Sequence, residues 1–216
     1  MTDRKLPSNA SVAQAQDGDK LHAPAAARNA QALIDLLSRV APASGDALEL
    51  ASGTGQHVVQ FAAALPQLTW QPTEVAADRL KSIAAYSAES ESGTILAPLH
   101  LNVTQPEWGA TQSADLIVLI NLAHLIGVSE LKSLLNEVAQ ALRPGGPFVL
   151  YGPFMRDGQL VSDGDRSFHA SLTASDPEIG YKNDVDVAAW MADAGLSLAE
   201  TVEMPANNLA LIAKLR

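Results

Sequence analysis

At 216 residues the sequence is long enough for one α/β domain with a substantial core and too short for two of full size. Its 24 acidic against 14 basic residues, a net charge of -10, argue against a grip on nucleic-acid phosphates or on an anionic membrane surface. The absence of cysteine excludes disulfides, thiolate metal sites and cysteine nucleophiles.

Residues 1–22 are polar and without period, and too poor in apolar area to offset their ordering entropy; a flexible tail is expected there, followed by a single domain over 23–216. The N-terminal MTDRKLPSNAS has no apolar h-region, and the longest apolar stretch, Ala114 to Val128, is interrupted by Asp115, Asn121 and His124. The expectation is a soluble cytoplasmic protein. The five histidines, His22, His57, His100, His124 and His169, are dispersed without ligand spacing, so no metal is expected.

From Pro24 a helix is expected, with Leu33, Ile34, Leu36, Leu37 and Val40 on its apolar face and Pro42 and Gly45 ending it. Arg28 and Asn29 sit near its start. The stretch ALELASGTGQHVVQF at 47–61 then reads as a buried strand, a small-residue turn and a helix. Gly53 and Gly55 permit a tight turn and close approach of a ligand to the backbone, beside the free N–H groups of a helix N-terminus. No lysine follows the glycines, which excludes a P-loop, and Ala51, Gly53 and Gln56 stand where the dinucleotide fingerprint needs three glycines. Glu49 would repel a pyrophosphate and attract an ammonium.

Leu68 to Glu74 reads as a second strand ending at an acid, roughly twenty residues past the glycines, where a carboxylate accepts hydrogen bonds from ribose hydroxyls. A helix over Ala77 to Glu89 leads to a third strand, Ile95 to Leu101, which runs into Asn102 and Val103, at a place where an amide can read an adenine edge. The apolar run Asp115 to Asn121 has the signature of a central parallel strand, and it delivers Asn121 and His124 to the crevice at its carboxyl end. A helix from Ser129 to Leu142 stops at Arg143-Pro144-Gly145-Gly146, and Phe148 to Tyr151 is the fifth strand. Residues 152–182 lack a regular period and hold Phe154, Phe168 and Tyr181; a lid is expected. A helix from Asp184 to Ala194 and a hairpin of Leu196–Glu203 with Leu209–Leu215 close the chain. Strands alternating with helices predict a doubly wound α/β sheet, mostly parallel, with an antiparallel C-terminal strand.

LELASGTGQH, WQPTE, INLAH, YGPF and MPANN, in that order, resemble the methyltransferase-like protein 26 family among the class I S-adenosylmethionine-dependent methyltransferases, across 23–216. The resemblance implies a Rossmann-like seven-stranded sheet and an S-adenosyl-L-methionine site. It implies that Glu49, Ala51, Gly53 and Gly55 form the first motif, that Glu74 binds ribose, and that Asn102, where the family more often has Asp, lies by adenine with Val103. It places Arg28, Asn29 and Asn121 about the cofactor.

The expected function is methyl transfer to a small-molecule acceptor, with His124 as base and Tyr151 as orienting group. A non-catalytic cofactor-binding or interaction protein is the alternative; a nicotinamide oxidoreductase is opposed by Glu49 and the missing glycines.

Overall fold

The computed structural model describes residues 7, 8 and 10–216. Of the expected tail, residues 1–6 and 9 lie outside the described residues. The remainder is not a free tail: β1 (Gln14–Ala15) and β2 (Leu21–His22) pair antiparallel. Side chains anchor this hairpin. Ser82 Oγ accepts from the Leu21 amide, Gln56 Oε1 accepts from the Ala23 amide, and Arg79 donates to Ser11. Polar sequence without period is thus ordered by hydrogen bonds rather than by apolar burial.

The helix α1 (Pro24–Val40) follows, its proline in the first turn and Leu33, Leu36 and Leu37 buried. Then come β3 (Gly45–Leu50), α2 (Gln56–Ala64), β4 (Leu68–Glu74), α3 (Ala77–Ala88) and β5 (Leu99–His100). The expected third strand over 95–101 is therefore shorter, with Ile95 joining through an isolated bridge to Trp70. Pro98 lies between the two contacts and has no N–H to give the ladder. β6 (Leu116–Ile120), α4 (Val128–Ala141) and β7 (Pro147–Met155) complete the parallel part.

Residues 152–182 differ most from expectation. β7 runs on to Met155, the helix α5 covers Asp163–Ser175, and the short β8 (Lys182–Asn183) pairs parallel with β7. Ser162 and Asp165 form a capping box at the start of α5, a local signal strong enough to nucleate a helix whose apolar face is only Leu172 and Phe168. Phe154 belongs to the main core, while Phe168 and Tyr181 pack in a satellite cluster with Leu172 and Ile179. The segment is a packed helical layer rather than irregular chain.

After α6 (Asp184–Asp193), β9 (Leu196–Met204) and β10 (Asn208–Leu215) form the terminal hairpin. The sheet order is β5-β4-β3-β6-β7-β10-β9, with β8 off this path beside β7. β10 is antiparallel to both neighbours. Residues of β6 alternate between two cores: Leu116, Val118 and Ile120 face α1 and α2, and Ile117 and Leu119 face α4 and α6. Burial on both faces explains the unbroken apolar run. The strand order reverses between β3 and β6, and ligand crevices in open α/β sheets open at such a point, at the carboxyl ends of the strands.

Candidate functional site

A cavity of about 560 Å³ opens at that reversal. Its floor is the turn after β3, where Ala51, Ser52, Gly53 and Thr54 meet Glu49 and Glu74. Thr73 stitches the turn to β4: its hydroxyl donates to the Glu49 carbonyl at 3.0 Å and accepts from the Ala51 amide at 3.1 Å. Glu74 Oε2 accepts from the Gly53 amide at 3.1 Å, and Oε1 accepts from Val75 at 2.7 Å and Ala76 at 3.3 Å. A carboxylate has about four lone-pair positions, so one is left for a ligand hydroxyl rather than the two expected from sequence.

The two glycines of the turn divide their work. Gly53 has φ +60, and a Cβ there would face open space, its nearest neighbour being Arg79 Nη1 at 3.7 Å. Gly55 has φ +87 and is off the cavity wall; a Cβ there would stand 2.8 Å from the Ile83 Cα. Its missing side chain permits close packing of α2 on α3. Ala51 (φ 52) and Asn121 (φ 56) take left-handed backbone at the ends of neighbouring strands, and both line the cavity. Strained non-glycine residues of this kind gather at functional sites.

Glu49 is 1% exposed, and among the described residues its Oε2 has no hydrogen-bond partner. Burial raises its pKa from 4.5 to about 8, against a hydrogen bond with Ser52 that lowers it, with the charge of Glu74 adding to the rise. The native state therefore holds a proton that the unfolded chain loses, and stability falls as pH rises from 4.5 to 8. Glu49→Gln removes that fall. Urea unfolding across this range is expected to show the variant gaining about 1–3 kcal/mol on the natural protein by the alkaline end; parallel curves would contradict it.

His57 also lines the cavity. Its ring stacks on Phe61 at 5.4 Å and its Nε2 lies 2.7 Å from Asn29 Oδ1. Burial lowers its pKa to about 4, a hydrogen bond with the Ala26 backbone opposing. Asn29 is buried behind this imidazole, bonded also to Tyr151, and neither Asn29 nor Tyr151 is on the cavity wall. They sit behind His57, Asn29 bonded to its ring and Tyr151 to Asn29, and tie α1 to β7.

Asn102 and Val103 likewise lie off the cavity wall. Asn102 Oδ1 accepts from the Thr104 amide and hydroxyl, closing an Asx turn, and Val103 is core against Trp108, whose Nε1 donates to the Val103 carbonyl. Arg28 does line the cavity, exposed and without an ion pair to any described residue.

His124 is buried, off the wall, its ring edge-on to Phe168 and Tyr181. Burial, with the Lys182 charge adding, lowers its pKa to about 3. The imidazole is thus held neutral, the form in which a base takes up a proton, with a basicity well below that of an exposed histidine.

Three contributors had no signal in the sequence. Residues Ala10, Ser11 and Val12 reach over the cavity from a stretch that reads as tail, and Arg79 opposite them holds Ser11 through Nη2 at 2.6 Å from Oγ and 3.3 Å from the carbonyl. Leu125 closes the apolar side. Among the described residues no group of three or more His, Cys, Asp or Glu is placed to hold a metal ion.

The family model described as "Protein of unknown function (DUF938)" matches residues 20–214. The chain belongs to this family. Solved structures share the fold of the DUF938 chain at low identity. An O-methyltransferase family protein from Burkholderia thailandensis is 19% identical, with TM-score 0.72 over 86% of this chain and 56% of its own. Human N-acetylserotonin methyltransferase in complex with SAM is 13% identical, with TM-score 0.69 over 86% of this chain and 54% of its own. An O-methyltransferase family 2 protein from Planctomyces limnophilus, in complex with apigenin, is 17% identical, with TM-score 0.70 over 87% of this chain and 62% of its own. The DUF938 chain thus spans little more than half the length of these proteins. What they share with it is the fold, an α/β architecture around a mostly parallel sheet.

Proposed function

We propose that the chain is an S-adenosyl-L-methionine-dependent methyltransferase acting on a small molecule. The carrying observation is Glu49: a buried carboxyl with an unpartnered Oε2 on the wall of a cavity whose floor is a glycine turn. An ammonium group satisfies that oxygen, and the open face of Gly53 admits a ligand close to the backbone. Glu74 has one acceptor position for a ribose hydroxyl, and Arg28 and Arg79 offer guanidinium groups for a carboxylate. The donor set therefore fits the cofactor. The resemblance to the methyltransferase-like protein 26 family supports the same reading, as does the fold shared with small-molecule methyltransferases. A cytoplasmic setting goes with this cofactor, and no helix among the described residues is long and apolar enough to cross a membrane.

S-adenosylmethionine supplies a methyl group on a cationic sulfonium. The protein's part is to orient it and keep water out. Glu49 and Glu74 set the charge of the floor, while His57, held neutral, adds no cation that would repel the sulfonium. Ile120, Leu122 and Leu125 furnish an apolar flank for the acceptor. The net charge of -10 favours a small acceptor over a nucleic acid.

Thermal melting with S-adenosylmethionine, S-adenosylhomocysteine and NAD tests the reading, because a ligand that binds only the native state raises the melting point. A rise with the first two and none with NAD is expected; a rise with NAD alone contradicts it. Glu74→Gln is expected to cost about 1–3 kcal/mol of S-adenosylhomocysteine affinity, and to erase any preference for adenosine over deoxyadenosine. A variant that keeps the preference shows that another residue reads the ribose.

A further inference from the structure

Ala10, Ser11 and Val12 line the cavity between two anchors that belong to opposite sides of the sheet. Ala10 packs on the satellite cluster of Leu172, Ile179 and Tyr181, which Met155 ties to the end of β7. Ser11 is held by Arg79, on the helix α3 that packs on β4. In the sheet β3 and β6 lie between β4 and β7, and the cavity opens at their carboxyl ends. The segment therefore crosses the mouth from one side to the other.

Its C-terminal continuation is fastened more firmly than the crossing itself. Tyr86 Oη lies 2.9 Å from Gln16 Oε1 and 3.2 Å from the Leu21 carbonyl oxygen, Lys20 pairs with Glu89, and the Leu21 amide donates to Ser82 Oγ at 2.9 Å. Over the cavity, among the described residues, the polar hold of the rest of the fold on residues 10–13 is the Arg79 guanidinium on Ser11. A stretch with so few contacts opens at low free energy while the hairpin at its base stays closed.

Arg79 also faces the glycine turn. While its Nη2 holds Ser11, Nη1 of the same guanidinium stands 3.7 Å from the point where a Gly53 Cβ would be. The guanidinium is planar and its donors keep fixed directions, so a ligand that accepts from Nη1 fixes the plane from which Nη2 reaches Ser11. Val12, on the same wall, is 42% exposed, and a ligand beneath it takes that apolar area out of water.

We propose that residues 10–13 are a strap fastened by the ligand it covers, with Arg79 as the positioning residue that couples the glycine turn to Ser11. The identity of that ligand rests on the cofactor reading of the cavity. A ligand moves such an equilibrium only by the difference in its affinity for the open and closed forms, and Arg79 Nη1 and Val12 supply that difference. Linkage makes the effect reciprocal: the ligand closes the strap, and the closed strap slows its release and keeps water from the sulfonium.

Limited digestion with elastase, which cleaves after small residues such as alanine, reads the open fraction of 10–13 when opening is fast relative to cleavage. Products are followed by mass spectrometry with and without saturating S-adenosylhomocysteine or NAD, beside the melting point under the same conditions. S-adenosylhomocysteine is expected to slow cleavage within 10–13 by about tenfold or more in the natural protein. In the double variant Ala10→Gly, Ser11→Ala, which removes an anchor at each side and adds nothing, protection should fall below about threefold, and S-adenosylhomocysteine should dissociate about tenfold faster. Comparing each protein with and without ligand cancels any change in the cleavage site itself. A higher melting point with no change in cleavage, or equal protection and equal dissociation in the double variant, overturns the strap and leaves the methyl-transfer reading standing. Protection and a higher melting point with NAD alone support the strap and fail the methyl-transfer reading. No response to either ligand overturns both.

Discussion

Gly53→Val is expected to abolish binding of S-adenosylhomocysteine, by roughly a hundredfold or more, while the protein stays folded. Valine at φ +60 costs about 1–2 kcal/mol of backbone strain, which a domain of this size tolerates. Its branched Cβ, however, enters the cavity at the turn, beside Arg79. Two added methyl groups in the path of a ligand remove the close backbone contact on which the site is built, and a hundredfold is about 2.7 kcal/mol. Calorimetric titration of the folded variant decides the matter: affinity equal to that of the natural protein would make the turn a connector and nothing more.

Gly55→Val, two residues on, is expected to act on the fold instead. Its Cβ would lie 2.8 Å from the Ile83 Cα and 3.1 Å from Ile83 Cγ1, so α2 and α3 must separate, and φ +87 adds backbone strain. Overpacking against backbone with no flexible side chain to yield costs about 3 kcal/mol or more. Denaturant midpoints measure it. A midpoint equal to that of Gly53→Val would show that the two glycines are not divided between ligand and packing.

This division shows what sequence can and cannot carry. S-G-T-G announces a turn, since only glycine takes positive φ at no cost, and the apolar runs Leu48–Leu50 and Leu116–Ile120 announce buried parallel strands. Strand ends then place Glu49, Glu74 and Asn121 at one crevice by topology alone. Which glycine faces the ligand depends on the packing of α3, twenty-odd residues away, and no local pattern encodes it. The same holds for Asn29 and Tyr151: each reads as a polar group near the site, yet they bond to one another, and Asn29 to His57 as well. Segment 10–12 carries no hydrophobic period because Arg79 holds Ser11, with Ala10 alone packed on the satellite cluster. Asn102 Oδ1 is engaged in its own turn with Thr104, a local bond that the strand pattern does not announce.

The most direct measurement is titration of S-adenosylhomocysteine into the natural protein and into Glu49→Gln at pH 7, in buffers of different ionisation enthalpy. Glu49, held protonated by burial with its pKa near 8, must ionise when an ammonium comes to rest against Oε2, because a nearby positive charge favours the carboxylate. The account predicts saturable binding with release of about one proton by the natural protein, and weaker binding with no release by Glu49→Gln. Absence of saturable heat, or equal affinity and equal proton count in the two proteins, would contradict it.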